Sequence, residues 1–175
     1  MLAELFDKYR CDKGHKHGYE KVYDPIFAKL KDEPITLLEI GILRGQSLSA
    51  WADYFPQALI IGIDTFDRVP PEEVDILFHP RVHWFRCDST RDVPEELTER
   101  LDIIIDDGYH TNEAQLETFK RYFPLLKDDG AYFIEDVPPN GTKAYARLLD
   151  AIRPYNVTAH NLNIRTGSCI LEIRH

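Results

Sequence analysis

The sequence is short of cysteine, of positive charge and of long apolar runs, and each shortage removes a class of protein. Its three cysteines, Cys11, Cys87 and Cys169, are odd in number, far apart and free of Cys-x-x-Cys spacing. That pattern excludes a disulfide framework and a zinc knuckle and leaves buried or incidental thiols. Against 30 acidic residues stand 21 lysines and arginines, a formal net charge of −9. A phosphate backbone would be repelled, and no basic stripe with interleaved aromatics overrides this locally, so a nucleic-acid partner is disfavoured. No apolar run approaches the roughly 20 residues of a membrane helix. The start, Met1 to Asp7, has neither the basic opening nor the apolar stretch of a signal peptide, so a cytoplasmic location with no membrane partner is expected. Repeats, low-complexity tracts and Gly/Ser-rich linkers are missing too. The 175 residues fit one domain with a proper core.

What the chain does have is alternation. Short runs of β-forming apolar residues predict strands at Thr36–Ile40, Leu59–Ile63, Val82–Arg86, Asp102–Ile105 and Ala131–Ile134. Helical patterns fall between them at Ser47–Tyr54, Glu95–Arg100 and Glu113–Phe123, the last closed by Asp128-Asp129-Gly130 as a turn. Two further helices, Leu2–Tyr9 and Glu20–Lys31, flank a polar loop over 11–19, and Trp51 and Trp84 are expected in the core. A helix at Lys143–Ile152 precedes β-rich segments at Tyr155–Ala159 and Ser168–Ile173, close enough to pair as an antiparallel hairpin. This order predicts an α/β fold: a doubly wound, Rossmann-like seven-stranded sheet, mostly parallel with one antiparallel strand and helices on both faces.

Two acidic pairs, Asp106-Asp107 and Glu135-Asp136, each close a predicted strand, and Glu39 and Asp64 close two others. Carboxylates just past such strands sit at the sheet's carboxyl edge, where open α/β folds bind ligands. Like charges crowded there cost stability unless a cation or proton compensates, so the pattern reads as a divalent-metal site; helix capping or pairing with Lys and Arg is the alternative. His110, three residues past Asp107, can reach the same cleft and is the candidate general base for a hydroxyl proton. His15 and His17 are surrounded by Lys13, Lys16 and Lys21, which would repel a cation, and they read as solvated or lid residues.

Gly41, after the first strand, suits a tight turn, and Gly45 lets a helix amino end approach a ligand. The middle glycine of a dinucleotide fingerprint is missing, with Leu43 near its place, and no lysine completes a phosphate cradle. Asp64, closing the next strand, can accept from both ribose hydroxyls, and Asp88-Ser89 suits the exocyclic amine of adenine. Helix caps or solvated turns are the other readings of these acids. Together they favour an adenosyl ligand without phosphates.

Glu39-Ile40-Gly41 with Gly45-Gln46-Ser47-Leu48, then Gly62-Ile63-Asp64, resembles motif I and the acidic loop of class I S-adenosylmethionine-dependent methyltransferases. Asp106-Asp107-Gly108-Tyr109-His110 and Glu135-Asp136-Val137 are similar to the metal-binding segments of the macrolide sugar O-methyltransferases of the mycinamicin type. Lys8-Tyr9, Asp12-Lys13 and His17-Gly18-Tyr19 look like that family's entrance to the cofactor site, making residues 1–33 a helical cap and 34–175 the core. The resemblance implies S-adenosylmethionine as cofactor, held by Glu39, Gly41, Gly45, Ser47, Asp64, Asp88, Ser89 and Tyr19. Asp106 then faces its positively charged end. It also implies Mg²⁺ on Asp107, Glu135 and Asp136, with Asp107 and His110 serving catalysis. Tyr19, with Tyr23 four residues on, turns either to the cofactor or to the core.

The expected activity is Mg²⁺-dependent O-methylation of a hydroxylated small molecule, a sugar or natural product. Catechol-type methylation is the close rival, and a non-catalytic adenosyl-ligand module is the rival from another class. An iron oxygenase is disfavoured for want of a two-histidine, one-carboxylate triad. A homo-oligomer stays open.

Overall fold

The computed structural model describes residues 1–137, 143–163 and 168–175. Its strands are β1 (Thr36–Ile40), β2 (Leu59–Asp64), β3 (Val82–Arg86), β4 (Leu101–Asp106), β5 (Leu126–Ile134), β6 (Asn156–Asn163) and β7 (Ser168–Arg174). They form one 7-stranded sheet in the order β3-β2-β1-β4-β5-β7-β6. Every pairing from β3 through β5 is parallel, while β7 runs antiparallel to both of its neighbours. The fold is thus the expected doubly wound sheet with a single reversed strand. From β1 the chain steps outward through β2 and β3, then crosses back to β4 and β5. The order reverses between β1 and β4, which opens a crevice at their carboxyl ends.

Central parallel strands are covered on both faces, so neighbouring apolar residues along each strand enter different cores. Leu37, Ile60, Ile103 and Phe133 pack with α1 (Leu2–Lys8), α2 (Glu20–Phe27) and α3 (Gln46–Tyr54). Leu38, Ile61, Ile104 and Tyr132 pack with α4 (Asn112–Tyr122) and α5 (Lys143–Ile152). The first core is built round aromatic edges: Trp51 meets Phe6 at 5.4 Å, Tyr23 at 5.5 Å and Phe27 at 5.8 Å between ring centroids. This cluster fastens the two N-terminal helices to α3, and with them the segment between, which reaches over the crevice.

Four expectations are corrected. No helix forms over Glu95–Arg100, where a turn and irregular backbone follow Pro94 and only Leu97 is buried. Asp128-Asp129-Gly130 is not a turn but part of β5, whose register against β4 jumps from Leu101↔Leu126 to Ile103↔Ala131; the extra residues form a bulge. The helix from Glu20 stops at Phe27, beyond which Leu30 N–H bonds back only three residues to the Phe27 carbonyl. Trp84 is 38% exposed, because β3 is an edge strand with one open side.

Candidate active site

The β1–α3 loop and the loop after β4 press against each other, and glycine permits it. Gly41 has φ +97°, and a Cβ there would lie 2.2 Å from the Asp107 carbonyl oxygen. Asp107 N–H donates to the Ile40 carbonyl, closing the same contact. Asp64 ties the loop from the other side: its Oδ2 accepts from Ile42 N–H at 2.8 Å and Leu43 N–H at 3.0 Å, and its Oδ1 from Phe66 N–H at 2.7 Å. Much of the carboxylate's acceptor capacity therefore goes to the loop. Gly45 is a packing requirement, since a Cβ at its φ of +71° would run into Ile76 at 2.4 Å and Val74 at 2.8 Å.

The acids divide into two layers. Glu39 and Asp106 lie underneath, at 0% and 2% exposure, and neither lines the cavity above. Glu39 accepts from Ser47 Oγ at 2.8 Å, while its other oxygen has no hydrogen-bond partner among the described residues. Burial pushes both carboxyls up to about 7. The upper layer holds Asp107, Glu135 and Asp136. At Asp136 the backbone takes φ 49°, a left-handed turn that aspartate tolerates better than most residues, and consecutive acids diverge. Glu135 is 1% exposed and turned inward, whereas Asp136 faces the opening.

Four side chains of the N-terminal segment meet this layer. Lys13, on a π-helical turn over Lys13–His17, is 2% exposed; its Nζ lies 2.6 Å from Asp107 Oδ2 and 2.5 Å from Glu135 Oε2, with Glu39 Oε1 at 3.4 Å. Burial would strip its proton, but the surrounding carboxylates outweigh that and hold the ammonium charged. Tyr23 donates to Glu135 Oε1 at 2.5 Å, and Tyr19 donates to Asp136 Oδ1. Glu135 therefore has a partner on each oxygen, although burial still drives its pKa upward. His17, read as solvated or lid-forming, is buried instead: it stacks on Tyr19 and sets Nδ1 3.5 Å from Asp136, and burial lowers its pKa.

His110 stands at the mouth, 46% exposed on its side chain, with Nε2 3.8 Å from Asp107 Oδ1 and 3.9 Å from Asp136 Oδ2. One ligand atom from each of Asp107, His110 and Asp136 lies within 4.8 Å of the others. Two carboxylates with room for water suit a divalent cation, Mg²⁺ in particular being commonly held by one or two carboxylates with waters kept, and the imidazole stands beside them. The cavity beside them measures about 720 Å³ and runs past Gly41, Leu43 and Asp64 to Asp88 and Ser89. There Asp88 accepts from Thr90 N–H at 3.0 Å, and Ser89 pairs with Thr118 at 3.1 Å.

The structure therefore brings Ser47, Asp64, Asp88, Ser89, Asp107, His110, Glu135, Asp136, Gly41 and Tyr19 to one cavity, and sets Glu39, Gly45 and Asp106 behind its wall. Sequence reading missed Lys13 as a partner of the acids. The Asp12-Lys13 pair carries no hint of burial, and only the long-range contacts reveal it.

An open sheet of this order, with a nucleoside-sized crevice at its switch point, defines the class I methyltransferase fold. Residues 38–137 match the family model described as a methyltransferase domain, and the chain belongs to that family. It is 32% identical over 161 residues to 8-demethyl-8-alpha-L-rhamnosyl tetracenomycin-C 2'-O-methyltransferase of Streptomyces olivaceus, covering 85% of this chain and 41% of that protein. It is 33% identical over 150 residues to demethylmacrocin O-methyltransferase of Streptomyces fradiae, covering 78% and 36%. The chain thus spans less than half the length of these curated relatives. Among solved structures, the mycinamycin-pathway methyltransferase MycE, in complex with Mg, SAH and mycinamycin VI, superposes with a TM-score of 0.80 at 23% identity. That match covers 99% of this chain and 54% of MycE, and it shows a shared fold. No helix among the described residues is long and apolar enough to cross a membrane.

Proposed function

We propose that this chain is an S-adenosylmethionine-dependent O-methyltransferase unit, assisted by Mg²⁺, that methylates a hydroxyl of a small molecule carrying a sugar. The observation that carries the reading is the meeting of Asp107, His110 and Asp136 at the cavity mouth, beside the loop fixed by Gly41 and Asp64. The relative named as a methyltransferase of rhamnosyl tetracenomycin-C supports the acceptor class. Residues 1–33 form a cap over the cofactor site, and residues 34–175 the core that binds the adenosyl group along β1, β2 and β3. Asp88 and Ser89 lie at its adenine end, and Asp64 Oδ1, with one of its two acceptor positions taken by Phe66 N–H, keeps one for the ribose.

In this reading His110 takes the proton of the acceptor hydroxyl, and the half-exposed ring leaves that proton a way out to solvent. Asp107 and Asp136 would hold the cation, with Glu135 behind them. A hard divalent ion in that position supplies charge stabilisation for the developing alkoxide. Tyr19 fixes the Asp136 carboxylate, so the residues facing the acceptor are oriented before it arrives.

The test is calorimetric titration of the purified chain with S-adenosylhomocysteine, followed by methyl transfer to glycosides and catechols with Mg²⁺ or with chelator. Binding, chelator-sensitive transfer to a glycoside and a His110→Ala variant that keeps binding while losing turnover are the expected results. Failure to bind either form of the cofactor overturns the reading. Cofactor binding with no metal dependence and no transfer assigns the chain to a non-catalytic adenosyl-ligand module.

A further inference from the structure

Lys13 is a buried ammonium on the segment that crosses the crevice, and its partners are the acids themselves. Its Nζ sits 2.6 Å from Asp107 Oδ2 and 2.5 Å from Glu135 Oε2. Asp107 divides its oxygens, giving Oδ2 to Lys13 and turning Oδ1 toward His110 at 3.8 Å. Both oxygens of Glu135 are engaged, Oε2 by Lys13 and Oε1 by Tyr23. A cation entering the cleft meets Asp107 Oδ1 and Asp136 directly, and reaches Glu135 only at the expense of Lys13. Without a positive charge at this point, the carboxylates that follow β4 and β5 would stand together under the N-terminal segment with no counter-ion. Such a group is strongly disfavoured away from water.

We propose that Lys13 is the resident counter-cation of the acid cluster, which keeps the site assembled when no metal ion is bound and competes with the ion for Asp107 and Glu135, and so sets how tightly the site holds it. This rests on the reading of Asp107 and Asp136 as cation ligands. The occupant Lys13 competes with is a divalent cation, and Mn²⁺ is a spectroscopic probe for it.

Wild type and Lys13→Met are titrated with Mn²⁺ by calorimetry and by loss of the free-ion spin-resonance signal, and each is melted in chelator and in Mn²⁺. Removing one positive charge this close to the site should tighten Mn²⁺ binding by about tenfold or more. The variant should also melt well below wild type in chelator and recover most of the loss in Mn²⁺, whereas wild type responds weakly. A folded K13M that binds Mn²⁺ no tighter than wild type overturns the inference and leaves the cation site standing. If neither protein binds Mn²⁺, the cation site itself fails and the inference falls with it. Should K13M not fold even with Mn²⁺, the double variant K13M/E135Q decides: removing an acid with the lysine should restore folding, and an unfolded double variant refutes charge compensation.

Discussion

Glu39 sets two electrostatic effects against each other, and their balance can be measured. Burial at 0% exposure penalises its ionised form, while Lys13 Nζ at 3.4 Å favours it. The lysine stands closer to Asp107 and Glu135, and Glu39 Oε1 accepts no hydrogen bond, so burial wins and lifts the carboxyl from 4.5 to about 7. The sign follows from proton counting. Between those two values the folded state keeps a proton that the unfolded chain has released, so this group's stabilisation is complete below pH 4.5 and is lost as pH rises to 7. A shift of this size corresponds to about 3 kcal/mol. Glu39→Gln keeps an acceptor for Ser47 and never ionises. Relative to wild type it should therefore gain about 2.5 kcal/mol between pH 5 and pH 8, roughly 5–10 °C in Tm for a chain of this length. Thermal or urea unfolding of both proteins at the two pH values, in chelator, measures this. If the variant falls further behind wild type at pH 8, Glu39 is an ionised partner of Lys13, and the ranking of burial over attraction is wrong.

Other changes probe the same frame. Gly41→Ala places a methyl against the Asp107 carbonyl at a φ of +97° and should cost about 2–4 kcal/mol with loss of S-adenosylhomocysteine binding, checked by melting and titration. Trp51→Ala empties the centre of the aromatic cluster that anchors α1 and α2, and should lower stability by about 3–5 kcal/mol, seen as a lower urea midpoint. Tyr23→Phe leaves Glu135 with one buried oxygen unpaired and should cost about 1–3 kcal/mol in a denaturant melt. Burial pushes the Cys11 thiol up to about 12, so a thiol reagent at pH 8 should leave Cys11 unmodified in the folded protein and label it in denaturant.

Strands were legible where hydrophobic runs sit in the middle of the sheet, and helices where an apolar face is covered. β1 lies where the pattern puts it, because a run such as Thr36–Ile40 has few other ways to bury itself. Asp128 to Gly130 misled because a bulge and a turn use the same residues, and only the pairing with β4 tells them apart. Glu95–Arg100 misled because its charges fit a helix surface, yet no neighbour supplies a face for it to cover. Ligand-edge acids were readable because a strand's end fixes where its last side chain lies. Which way each acid turns was not readable: Glu135 and Asp136 part at a single backbone angle. Lys13 shows the limit most clearly. Counted among its sequence neighbours it is one more solvated positive charge, a reason to reject a cation site nearby. Its partners Asp107 and Glu135 lie 94 and 122 positions away, and once they enclose it the sign of the argument reverses. A lysine that repels a metal from the histidines beside it is the charge that allows the acids to gather, and local charge counting cannot distinguish the two roles because the dielectric that separates them is made by the fold.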